Sequence, residues 1–216
     1  MVRTNAVNRQ MTKNLVRCLS AVTVMLLGCS TVSAEAKMLK VEKDELKLGF
    51  IKLTDMAPLA IAKEKGFFDK HGLPETDVAK QASWGATRDN LVLGGAANGI
   101  DGAHILSPLP YLMHTGKVTQ NNLPVPMTIL ARLNYDSQGI SVAKEYADTG
   151  VQLDASKLKA AFEKKKAEGK EIKAAMTFPG GTHDLWIRYW LAPGGIDPDK
   201  DVSTIVVPPT QMVENM

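Results

Sequence analysis

The chain has 216 residues, 44% of them hydrophobic and 23% charged, as in ordinary soluble globular proteins, and is long enough for one large domain or two small lobes. Its formal net charge of +3 is unevenly placed: Arg3, Arg9, Lys13 and Arg17 stand among residues 1–34 without an acid, so the remaining chain carries −1. That excludes the basic stripe that nucleic-acid binding needs.

The first segment reads as a targeting leader. After the basic stretch comes the apolar run "CLSAVTVMLLGC", residues 18–29. It is too short to span a membrane and has the length of a signal-peptide core. Two cleavage readings stand. "VSA" ending at Ala34 is a small-residue site and would make residues 1–34 the signal peptide. "LLGC" ending at Cys29 resembles a bacterial lipobox; residues 1–28 would then be removed and Cys29 lipidated. Cys18 and Cys29 are the only cysteines, so the body has no disulfide, no thiol chemistry and no Cys-based metal site.

Next comes "LKLGFI" (46–51), a buried strand, then "APLAIAKEKGFFDKHGL" (57–73), apolar at helical spacing with a stop at Gly66. "TDVAKQ" (76–81) reads as a strand, "ATRDNLVLGG" (86–95) as a helix, "GIDGAHIL" (99–106) as a strand and "PLPYLMHTG" (108–116) as a short helix. "PMTILARLN" (126–134) and "GISVAKEY" (139–146) read as two more strands. "DASKLKAAFEKKKAEGK" (154–170) is an amphipathic helix with Lys164, Lys165 and Lys166 on its solvated face. "EIKAAMTF" (171–178), "GTHDLWIRYWLA" (181–192) and "TIVVPP" (204–209) read as strand, helix and strand. Such alternation predicts an α/β fold built on mostly parallel sheets. "TQMVENM" (210–216) starts a helix too short to hold itself, so the sequence reads as a fragment cut inside a domain.

In open parallel α/β sheets ligands bind at the carboxyl ends of strands, where helix N-termini with free N–H groups attract anions. Two strand-to-helix turns combine glycine with a ring N–H: "SWGATRDN" (83–90), with Trp84 and Gly85, and "PGGTHDLW" (179–186), with His183. Trp84 either aims its indole N–H, a donor only, into a ligand cleft, or packs over the sheet edge. Enzyme signatures are missing: there is no GxSxG, P-loop or HExxH. His71 reads as a turn residue and His104 as a structural residue on a buried strand. Asp184 is a first-turn acid facing the helix dipole; as a neighbour in a helix it diverges from His183 and forms no dyad with it. No catalytic residue, metal ligand or cofactor site is expected.

Whole segments carry a resemblance. "GFIKLTDMAPLAIAKEKGFFDKHGL", "KQASWGATRDNLVLGG", "GIDGAHILSPLPYLM", "PVPMTILARLN", "QGISVAKEY", "FPGGTHDLWIRYWLAPGGIDPDKDV" and "VVPPTQMVENM" closely resemble the solute-binding proteins of nitrate ABC transporters, sisters of the bicarbonate-binding ones. The likeness runs from about Lys47 to Met216. It implies a two-lobed periplasmic-binding-protein clamshell, truncated in the second lobe. Lobe one would span 35–135, and 136–216 would be the incomplete start of lobe two.

The resemblance also implies an anion held between the lobes by Trp84, Gly85, Gln138 and His183, with Leu53 and Pro209 as apolar walls. Further family contacts, a lysine among them, lie beyond this sequence. The implied partners are nitrate and the permease and ATPase components of an ABC transporter, at a periplasmic or other extracytoplasmic location, with a membrane anchor if Cys29 is lipidated. Nitrate only accepts hydrogen bonds, and Trp84, Gly85, Gln138 and His183 all supply donors; nitrite suits the same set. Bicarbonate carries a proton and needs an acceptor, so it is the alternative ligand. A nitrate-sensing regulator and a pyrimidine-precursor synthase on the same fold are the other classes to weigh. The leader argues against the regulator, and the missing catalytic cluster against the synthase.

Overall fold

The structure is a computed structural model that describes residues 39–135 and 138–216. The leader and Cys29 lie outside the described residues.

The apolar stretch after Asp44 forms β1 (Glu45–Phe50), which sits at the centre of a three-stranded parallel sheet. On one side β2 (Glu75–Lys80) pairs with it along its whole length, Leu48 opposite Val78; on the other, β3 (Gly102–Ala103) adds a short edge. Between β1 and β2 run α1 (Ala57–Glu64), which has Pro58 in its first turn, and α2 (Phe67–Lys70), divided by Gly66 in the left-handed conformation. After β2 comes α3 (Trp84–Leu93), closed by Gly94 at φ +72°. After β3 comes α4 (Leu109–His114).

A second, two-stranded parallel sheet is formed by β4 (Lys173–Met176) and β5 (Ser203–Val206). α5 (Lys159–Ala167) precedes β4, and α6 (Thr182–Leu191) follows it. Their shared core is Ala155, Leu158, Phe162, Ile172, Leu191, Ile196 and Val202. Lys165 and Lys166 lie at the surface of α5, 2.6 Å from Glu145 and from Asp201.

The β-α alternation appears around both sheets, but two expected strands do not, and the helix start at 210–216, expected to be too short to hold itself, forms no helix. Residues 126–134 form no strand: no described strand pairs with them, and Ile129 and Leu130 are 52% and 93% exposed. A strand without a neighbour leaves its N–H and C=O groups unpaired, so apolar content alone does not create one. Residues 139–146 form no strand either; their end enters a 3-10 turn, Lys144–Thr149. Val142 and Tyr146, four residues apart, pack on the second core, and the Tyr146 ring meets the Phe162 ring at 5.4 Å between centroids. Finally, residues 210–216 hold only the 3-10 turn Pro209–Gln211, and Val213 stays 88% exposed, so nothing buried supports a helix. The third strand is also shorter than expected, and His104 lies just past its end.

Candidate functional site

Four strand ends converge. Leu53 and Asp55 follow β1, Trp84 follows β2, His104 follows β3, and Thr177 to His183 follow β4. The first sheet's ends share one core cluster, Ile51, Trp84, Leu106, Leu109 and Met113, and Phe178 from the second sheet belongs to the same cluster. Two glycines permit that approach. A Cβ on Gly181 would lie 2.9 Å from Leu106 Cδ1, and one on Gly180, already at φ +70°, would lie 3.1 Å from Leu112 Cδ1. Arg88 of α3 stands 5.9 Å over the Phe178 ring.

Trp84 opens α3. Ser83 caps the helix by accepting from the Ala86 N–H at 3.1 Å, which fixes the entry of the chain. The indole is 1% exposed, so it does pack in the core, yet its Nε1–H has no hydrogen-bond partner among the described residues. The packing reading of Trp84 describes its place in the core, and the unpartnered N–H leaves the ligand reading open. A buried donor left unpaired costs about 1–3 kcal/mol, and such an atom is a place where a ligand is expected to complete the set. Gly85 follows in the first helical turn, where amides have no intrahelical acceptor.

His183 lies in the first turn of α6, half-buried. Its Nδ1 is 2.7 Å from Thr177 Oγ1, which fixes the ring and leaves Nε2 for another group. Burial is the largest influence on this imidazole and pulls its pKa below the usual value; the Asp55 carboxylate pulls in the opposite direction. Asp184 is not its partner. It accepts from the Gly180 N–H and from Arg188 Nε, both at 2.8 Å, so it braces the glycine turn. Gln138 lies in irregular chain and is exposed, outside the buried cluster; Pro209 is half-buried in the turn after β5, and Leu53 packs on the first core. The structure therefore gathers Trp84, Gly85, His183 and Leu53 at converging strand ends, but leaves Gln138 out of the cluster.

Asp55 and Thr182, which the sequence reading passed over, belong here, as does His104, which it read as structural. Asp55 Oδ2 is 3.4 Å from His104 Nε2. Asp55 Oδ1, His104 Nδ1 and Thr182 Oγ1 are buried without a partner among the described residues, as is the Trp84 N–H. The His104 ring lies 6.3 Å from the Trp84 ring. Burial lowers the His104 pKa, opposed by Asp55. The signal for His104 was its place at a strand's carboxyl end, the rule already applied to Trp84 and His183. Among the described residues no group of three or more His, Cys, Asp or Glu is placed to hold a metal. A surface depression between Lys166, Lys170, Asp199 and Asp201 lies instead at the amino ends of β4 and β5, and its Lys166 is paired with Asp201.

Residues 39–216 match the model of the NMT1-like family. Over 170 residues, 79% of this chain, the sequence is 64% identical to the nitrate/nitrite binding protein NrtA of a Synechocystis strain, and covers 37% of it. It is 43% identical over 177 residues, 81% of this chain, to the bicarbonate-binding protein CmpA of Synechococcus elongatus, covering 39%. The crystal structure of the periplasmic nitrate-binding protein NrtA from Synechocystis superposes with a TM-score of 0.75 at 63% identity, over 81% of this chain and 44% of that one. The chain thus spans less than half the length of these relatives.

Proposed function

The chain belongs to the NMT1-like family, and from that premise we propose that it is the anion-holding part of an extracytoplasmic nitrate-binding protein. It serves nitrite by the same chemistry and delivers its ligand to the permease and ATPase of an ABC transporter. The observation that carries this reading is the buried, unpartnered Trp84 Nε1–H at the start of α3, which follows β2 as the helix of His183 follows β4. A ring N–H and first-turn amides suit an acceptor-only monoanion. The higher identity to the nitrate/nitrite binder than to the bicarbonate binder supports the same choice.

Within this reading Trp84 and Gly85 supply donors from lobe one, residues 35–135, and His183 from lobe two, residues 136–216. The two separate parallel sheets support that division. Gln138 moves in from its exposed place when the ligand is bound. Cys29 carries the lipid that tethers the protein to the membrane. The role is binding and delivery, without catalysis.

One observation favours bicarbonate as a second reading: Asp55 Oδ1 is a buried acceptor without a partner among the described residues, and the bicarbonate O–H could donate to it. Calorimetric titration of the full chain with nitrate, nitrite and bicarbonate separates the two. Saturable binding of nitrate and nitrite, with bicarbonate weaker, is expected; a preference for bicarbonate overturns the first reading.

A further inference from the structure

The Asp55 carboxylate poses a difficulty for any anion that approaches Trp84. Asp55 is held from both sides of the fold: its backbone carbonyl accepts from Asn134 Nδ2 at 2.7 Å, and its Oδ2 lies 3.4 Å from His104 Nε2. His104 is equally fixed, with its backbone N–H donating to the Gly49 carbonyl at 2.9 Å and its side chain 7% exposed. Its ring stands beside the Trp84 ring, and its Nδ1 has no partner among the described residues. With His104 neutral and Nε2–H turned to Asp55, Nδ1 presents a lone pair. An acceptor-only anion that reaches the Trp84 N–H then meets a lone pair and a carboxylate, poorly screened in a buried space.

A proton resolves the conflict. On His104 it turns Nδ1 into a donor while Nε2 keeps its 3.4 Å charge contact with Asp55. The carboxylate and neutral imidazole together carry one negative charge; after a monoanion and a proton enter, the three groups again carry one. The other charged groups on the surrounding elements are already engaged. Asp184 on α6 is bonded to Gly180 and Arg188, and Arg88 on α3 is bonded to Asp89 and lies over Phe178. His183 faces the same carboxylate with its Nδ1 on Thr177.

We propose that Asp55 and His104 are specificity-determining residues of the anion site, a pair that admits a monoanion together with a proton held on His104. The inference rests on the anion-binding reading above. The pair disfavours anions when His104 is neutral, and it selects for ligands that accept from an imidazolium. The largest influence on His104, burial, keeps the empty site's imidazole neutral, so the proton arrives with the ligand from solvent.

Calorimetry of the full chain with nitrate, in buffers of different ionisation enthalpy, tests this. The expected result is uptake of a proton per anion near neutral pH, with affinity falling by up to about tenfold per pH unit as pH rises. His104→Gln should lose the proton uptake and flatten the pH profile while binding nitrate more weakly at low pH. Asp55→Asn should bind nitrate at high pH at least as well as the parent, because a repelling charge is gone. Nitrate binding by the parent without proton uptake overturns the inference and leaves the anion-binding reading standing. So does uptake that persists in His104→Gln, which would assign the proton to His183. No nitrate binding by the parent overturns both. If His104→Gln does not fold, the proton count is taken on His183→Gln instead: uptake should persist there, and its loss overturns the inference.

Discussion

His183 Nδ1 lies 2.7 Å from Thr177 Oγ1, so the residue just after β4 sets the ring orientation of a residue in the first turn of α6. The strand end and the helix start are locked together across the glycine turn, and Nε2 is aimed by that lock. Thr177 is 4% exposed, which keeps water from substituting for its hydroxyl. Thr177→Val preserves shape and removes the bond. A stability loss of about 1 kcal/mol is expected from the lost hydrogen bond. Nitrate affinity should fall less than in His183→Ala, since the ring remains but is free to turn. Melting and titration of both variants check the ranking; equal affinity in Thr177→Val and the parent would show that the lock does not aim the ring.

The two imidazoles, buried His104 and half-buried His183, also make the empty protein acid-sensitive. Burial lowers the pKa of His104 and of His183 in the folded state. The unfolded chain binds those protons near the ordinary value of about 6.5, so it gains protons first as pH falls. The stability contribution is therefore complete above that value, declines below it, and levels off once the folded pKa is passed. The melting temperature of the ligand-free protein should drop on going from about pH 7.5 to about pH 5.5. Replacing both histidines with Gln should reduce that drop. An unchanged slope would place the acid sensitivity elsewhere.

Much of this arrangement is legible in the sequence, and what is not has a common cause. β1, β2 and α6 lie within a residue of where the local apolar period puts them, whereas α3 starts at Trp84 and not at 86, because Ser83 caps it. Trp84 and His183 stand out because a ring N–H in a small-residue turn is locally odd. Residues 126–134 have equally strong local signals, yet a strand is a property of two segments, and no described strand pairs with this one. Asp55 and His104 lie 49 positions apart and become a pair only because β1 and β3 are neighbours in the sheet. Gln138 was carried by resemblance alone, and its exposure shows that no local feature holds it in the cluster.

The unpaired segment has a measurable consequence. Ile129, Leu130 and Tyr135 are 52%, 93% and 72% exposed, and Val206 on β5 is 55% exposed. Residues 35–216 produced alone are expected to be poorly soluble and to bind a hydrophobic dye. Leu130→Ser should lower dye binding without lowering the melting temperature, because the side chain contributes nothing buried. Dye binding no greater than that of an ordinary folded protein, or equal in Leu130→Ser and the parent, would refute this.

The leader gives a covalent test. If "LLGC" is used, the mature protein begins at Cys29 with a diacylglyceryl thioether, and Cys29→Ser releases it from the membrane fraction. Intact mass and N-terminal peptide mass decide. A mature chain that begins at Glu35 sinks lipidation while keeping export.

Trp84 offers the sharpest separation of packing from binding. Trp84→Phe in the full chain keeps most of the ring and removes the indole N–H. Two effects on the empty protein oppose each other. The smaller ring loses contacts in the cluster of Ile51, Leu109, Met113 and Phe178. Removing a buried donor that has no partner among the described residues recovers about 1–3 kcal/mol. The melting temperature of the empty protein should therefore change little. Binding has no such offset. A hydrogen bond to a charged group contributes about 1.5–3 kcal/mol, so nitrate affinity should fall about tenfold to a little over a hundredfold. If Trp84 only packs, the melt of the empty protein is the same but nitrate binds nearly as before. Measuring both quantities on the same variant decides between them, because no single loss of folded fraction lowers affinity while leaving the melt in place.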